Sequence, residues 1–194
     1  IYRFLGTISL ELNDYEKSLE YHFKALKLAS NFPPSRKNYF YSICFCDIGR
    51  YYLEKNNRLT NIRFYYDDLL RFSDYTPVLD KEGKDTLWLS VYYPELEHDE
   101  IEANLNKIYT LLHSDGDVDV LPFLKVDSIH FCTFGNSKPF RIRVRNILND
   151  NYTNFYIKKA DASRIYGLEL EEILSPNRIN FLLYKDTLIE EHIL

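Results

Sequence analysis

Methionine is absent from the 194 residues, tryptophan occurs once and cysteine three times. No apolar run approaches the ~20 residues that a membrane-spanning helix needs, so this stretch holds no sequence-level candidate for one. The cysteines are odd in number, and Cys44 and Cys46 stand as C-x-C rather than C-x-x-C. Zinc sites usually draw four ligands at loop spacings, whereas these thiols sit among Ile, Phe and Tyr, so buried free thiols are expected and a metal centre is not. Reduced thiols fit a cytoplasmic address. His22 and His113 fall in helical stretches, and His98, His130 and His192 lack a nearby nucleophile. Spacing therefore assembles no Ser-His-Asp or Cys-His group. Asp115-Gly116-Asp117 lacks the remaining ligands of a calcium loop and reads as a turn. A net charge of −5 argues against non-specific nucleic-acid binding. Ile1 in place of an initiator Met, and Leu194 inside a strand-like run, lead us to expect a piece of a longer parent.

What is present is ordinary globular material, 45% hydrophobic and 27% charged, enough for one or two cores. Its unusual feature is 17 Tyr and 13 Phe, a composition suited to packed surfaces with polar tips. The first half reads as helices. Tyr2, Leu5, Gly6, Ile8 and Leu12 mark one amphipathic face. Asn13-Asp14 then caps a second helix bearing Tyr15, Leu19, Tyr21, Phe23, Ala25, Leu26 and Leu28. After Pro33-Pro34 the pattern returns with Ile43, Ile48, Gly49, Tyr52 and Leu53. A turn at Asn56-Asn57 leads to a fourth expected helix carrying Leu59, Ile62, Tyr66, Leu69 and Leu70. Gly6 and Gly49 lie 43 residues apart, which suggests two copies of a helix pair.

Tyr2-x2-Leu5-Gly6, Tyr15 and Ala25 resemble the small-and-large pattern of a tetratricopeptide repeat, with Ser18 in place of the usual alanine. The second copy departs further, with Leu69 where alanine is expected. The resemblance covers residues 1–72 and implies a module that binds a protein or peptide partner. Residues 73–86, with Pro77, Gly83 and several charges, read as a linker. A strand at Leu87 to Tyr93 and a helix from Glu97 to His113, ended by Ser114 to Asp117, connect 87–125 to an α+β domain over 126–194. There, strands at Ile129–Phe134 and Phe140–Val144 flank a Gly135–Pro139 hairpin loop, and Thr153–Lys158 forms a third. Ala162–Leu174 is helical, stopped by Ser175-Pro176-Asn177. Ile179–Leu183 and Thr187–Ile193 make a last hairpin. Arg141, Arg143 and Arg145 alternate with Ile142 and Val144, so one face of the middle strand is basic. The expected fold class is α+β: helical-hairpin repeats, then a small antiparallel sheet with one packed helix.

Strand, loop, strand, strand, helix, strand, strand resembles the small lobe of atypical kinases of the HipA, phosphoinositide-kinase and actin-fragmin-kinase group. In such a lobe backbone N–H groups of a hairpin approach nucleotide phosphates, and a lysine ending the third strand reaches their oxygens. Phe155-Tyr156-Ile157-Lys158 is similar to the kinase V-A-I-K strand, so the resemblance assigns Lys158 to the phosphates. Lys159 would point to the opposite sheet face. The helix offers Glu169, Glu171 and Glu172 as partners for Lys158. Inward positions for Leu168 and Ile173 favour Glu169, with Glu172 in reserve. Gly135, Asn136 and Ser137 would cover the phosphates, while Glu191 and His192 would lie beside an adenine-binding hinge. The resemblance implies ATP and magnesium. The loop has one glycine rather than G-x-G-x-x-G, and the chain contains neither H-R-D-x-x-x-x-N nor D-F-G, so it is not expected to catalyse phosphoryl transfer as it stands. A non-catalytic scaffold is the alternative.

Overall fold

The computed structural model describes residues 1–12, 14–113, 123–175 and 179–192. The expected turns at Asn13, Ser114–Asp117 and Pro176-Asn177 lie outside the described residues. The chain divides into two compact units, Ile1–Leu59 and Thr60–Leu194.

The first unit holds three helices: α1 (Tyr2–Glu11), α2 (Tyr15–Ala29) and α3 (Pro34–Lys55). Asp14 caps α2 by accepting from Lys17 N at 3.3 Å. Pro34 opens α3 at its first position, where a missing N–H costs nothing. The interior is small and polar: Ser9, Ser18, His22, Ala29, Cys44 and Tyr51 are buried. Gly6 lies against His22, and a Cβ at Gly6 would stand 2.6 Å from the imidazole. The first glycine therefore does allow a close approach. Gly49 does not, because nothing comes within 4 Å of a Cβ built there.

The expected second helix pair does not form. Beyond α3 the only helix before the sheet is one turn, α4 (Tyr66–Leu69). Residues 60–65 are drawn instead into the second unit, where Thr60 N donates to Leu183 O at 3.0 Å and Tyr66 N to Thr187 Oγ1 at 2.9 Å. Backbone groups satisfied by the sheet cannot also close helical turns.

The second unit is a seven-stranded antiparallel sheet ordered β1-β2-β3-β4-β5-β7-β6. Its strands are β1 (Asp74–Leu79), β2 (Asp85–Tyr92), β3 (Leu124–Cys132), β4 (Phe140–Asn146), β5 (Tyr152–Lys159), β6 (Phe181–Tyr184) and β7 (Thr187–Glu191). Residues 73–86 are thus not a linker. They supply an edge strand, the position at which Pro77, lacking an N–H, is tolerated. The expected connecting segment is likewise not separate, because its strand β2 belongs to the same sheet as the strands of 126–194.

Besides the one-turn α4, two helices among the described residues accompany the sheet, α5 (Glu95–His113) and α6 (Ala162–Leu174). On α5, Ile101, Leu105, Ile108 and Leu112 recur at helical spacing and pack on Ile129, Phe140, Ile142, Val144, Phe155, Ile157 and Ile189. Each such side chain contributes roughly 1.5–3 kcal/mol on burial, which makes this face the core. Alternation then sends the intervening residues to the other face: Trp88, Ser90, Ser128, His130, the three arginines, Tyr152, Asn154, Tyr156 and Lys158.

Candidate functional site

Lys158 is the residue around which the polar face is organised at one end. Only 14% of its side chain is exposed, and its ammonium pairs with Glu190 of β7, which is 7% exposed. Glu190 faces Tyr156 across the β5–β7 ladder, so it reaches Lys158 diagonally on the same face. Its second oxygen accepts from Arg164 Nε of α6 at 2.9 Å. One buried carboxylate thus joins two strands and a helix. The pair observed at Lys158 is with Glu190, where the sequence pointed to Glu169. The helical packing that favoured it is corrected as well: Leu168 is buried, whereas Ile173 is exposed. Lys159 points to the opposite face, as alternation requires, and its Nζ lies 3.2 Å from Asp67.

The Gly-containing hairpin stands at the same end of the sheet as Lys158, since Phe140 pairs with Ile157. It runs from Thr133 to Pro139, two residues longer than the expected loop, because the Thr133 backbone N–H and hydroxyl both turn to Leu87 O. Gly135 has φ +80 and Lys138 φ +37, and Gly135, Asn136 and Ser137 are exposed. The Lys138 carbonyl accepts from Tyr66 Oη at 2.8 Å, which tethers the loop's end to α4. Glu191 and His192 lie at the end of the β5–β7 ladder away from Lys158 and face opposite ways. Glu191 is on the α5 side, where its charge acts on His113, while His192 stacks near Tyr156 with ring centroids 5.4 Å apart.

The centre of the polar face is more basic than Lys158 alone suggested. Arg141 lies over Trp88 and Arg143 over Tyr152, the guanidinium carbons 4.7 and 4.5 Å from the ring centroids. Arg141 Nη2 is 2.9 Å from His130 Nδ1. Because arginine can only donate, Nδ1 is the acceptor and the neutral ring carries its proton on Nε2. Burial pushes the His130 imidazole down to about 4, and the charges of Arg141 and Arg143 push in the same direction. Burial also lowers His113. Both groups take up protons more readily in the unfolded chain. The contribution of His130 to stability is therefore full above pH ~6.5 and is lost as pH falls toward about 4, and that of His113 changes in the same direction. His130 is expected to account for roughly 1–2 kcal/mol of that loss, allowing for its partial exposure. Thermal melts of wild type and His130→Gln from neutral pH to pH ~4 check it, and an unchanged acid slope in the variant would count against it.

Arg145 is neutralised by Asp127 at 3.2 Å and Asp150 at 2.9 Å. Among the described residues Arg141 and Arg143 have no carboxylate partner; Nε of all three arginines is buried without a hydrogen bond, as are Ser128 Oγ and Asn154 Oδ1, so what separates Arg145 is its two aspartates. Among the described residues no all-protein cage for a magnesium ion is assembled: no group of three or more His, Cys, Asp or Glu could hold a metal, and Glu190 is already shared by two cations. Cys44 and Cys132 are buried free thiols, while Cys46 is exposed, contrary to expectation. Among the described residues no helix is long and apolar enough to cross a membrane. Comparison with protein-family models, with curated proteins and with solved structures gives no match for this chain.

Proposed function

We propose that residues 60–194 form the nucleotide-binding lobe of an atypical ATP-dependent kinase in the cytoplasm, and that the N-terminal helices serve protein recognition. The observation that carries this reading is the setting of Lys158. The helix joining β5 to β6 brings Arg164 over the lysine's own sheet face, and a buried carboxylate fixes the ammonium beside the Gly135 hairpin. A lysine so held is pre-organised to meet a phosphate oxygen without first ordering its long side chain. The carboxylate comes from β7 rather than from the helix, so the task expected of Glu169 falls to Glu190. Gly135, Asn136 and Ser137 would cover the phosphates, and His192 on the polar face is better placed than Glu191 to meet a base. The chain's own residues would bind and orient a nucleotide.

ATP is expected to raise the melting temperature of the chain, and Lys158→Ala to abolish that shift. Undiminished protection in the folded variant would remove Lys158 from the site. A second reading, a non-catalytic interaction protein, is favoured by exposed aromatic side chains on the helical unit, among them Phe4, Phe23, Tyr39 and Phe45. It predicts no ATP-dependent shift and protection by a peptide partner instead.

A further inference from the structure

We infer that Arg141 and Arg143, at the centre of the open sheet face, form an anion site that takes the polyphosphate of a nucleotide. The ligand's identity rests on the nucleotide reading, whereas the anion chemistry does not. β4 is the middle strand of seven, and its outward residues are the three arginines. Tertiary structure sorts them by charge balance. Arg145 has two aspartates, and Lys158 has Glu190. Arg141 and Arg143 have none among the described residues, yet both are half-buried and held in place by stacking on Trp88 and Tyr152. Two adjacent guanidinium groups with no counter-charge, on a sheet rather than a loop, are costly unless an anion completes them. Guanidinium donors match phosphate oxygens in a planar, two-pronged way, and stacking fixes that plane in advance.

The surroundings argue for phosphate and for a small ligand. His130, which faces Ser90 on β2 and Arg141 on β4, stays neutral beside the two arginines and presents an acceptor to Arg141 rather than a competing anion. Tyr156 stands opposite Arg141, and Asn154 opposite Arg143, so the pair continues toward Lys158 along one face. An extended nucleic-acid strand would need cations along its whole path. Here Arg145 on one side is already neutralised by two aspartates, so the basic stretch runs only from Arg143 through Arg141 toward Lys158, which suits one compact polyphosphate.

The test is calorimetric titration of the full chain with ATP, with inorganic pyrophosphate and with a short oligothymidine, at one fixed salt concentration. Arg141→Gln and Arg143→Gln are each expected to weaken ATP and pyrophosphate binding by roughly tenfold or more, while Arg145→Gln changes it by less than about twofold. If either glutamine variant fails to fold by melting, the lysine substitution at that position keeps the charge and loses the fork, with an expected weakening of a few-fold. ATP binding that ignores both arginines overturns the site and leaves the nucleotide reading standing. Arginine-dependent binding of pyrophosphate without ATP overturns the nucleotide reading and supports the site. Binding of the oligothymidine alone overturns the assignment to a compact ligand, and no binding of any probe overturns both.

Discussion

Glu190→Gln is expected to destabilise the sheet unit by about 3–5 kcal/mol, the largest effect of any single polar substitution here. The carboxylate is nearly inaccessible and is shared by Lys158 and Arg164. Removing its charge leaves the Lys158 ammonium buried and unpaired, and that desolvation term dominates. Arg164 adds less, because its side chain is 46% exposed and water can replace the lost partner. The asymmetry supplies a control. Lys158→Met with Glu190→Gln removes both charges of the buried pair, so the double variant should recover much of the loss. Denaturant unfolding of the three proteins measures it. A Glu190→Gln penalty below about 1 kcal/mol would show that the pair is as inconsequential as a surface ion pair.

Gly6→Ala is the second large effect, and it falls on the other unit. A methyl group at Gly6 would stand 2.6 Å from the His22 ring, and the ring cannot swing aside at no cost. His22 is fully buried. Its Nδ1 is 2.9 Å from Ser18 O and its Nε2 is 3.1 Å from Asp47 Oδ2, so one imidazole links α2 to α3. Moving it disturbs its contacts with Ser18 O and Asp47 Oδ2 or forces α1 away from α2. Overpacking of this kind costs about 1–3 kcal/mol. A unit of about this size has little stability to lose, since small domains bury a small fraction of their surface. Loss of the helical signal contributed by residues 1–59, with the sheet unit still folded, is the expected result by circular dichroism and hydrogen exchange. Gly49→Ala is the matched control. It meets no neighbour and should be neutral or slightly stabilising, because alanine favours a helix.

These two residues also mark how far the sequence could be read. Gly6 was legible as the small residue of a repeat-like pattern, whereas its contact with His22 was not. Glu190 lay inside a recognised strand, but nothing local distinguished it from Glu191. Its neighbour sits on a strand 32 residues away, reached only after α6 has been traversed. The fourth expected helix failed for the same kind of reason. Residues 59–70 have helical spacing, yet the Thr60 and Tyr66 amides are taken by groups near the chain's other end.

By itself, the sequence determined what depends on neighbours along the chain. Strand period two placed Lys158 and Lys159 on opposite faces and put Arg141, Arg143 and Arg145 on one, and the bounds of α6 followed from its flanking residues. Only the tertiary structure decided which of those charges are neutralised. Strand pairing brought Trp88 beneath Arg141, Asp127 to Arg145 and Glu190 to Lys158. The physical reason is that a side chain's direction is a local property of backbone geometry. Its partner is set by non-local registers, which only the folded sheet specifies.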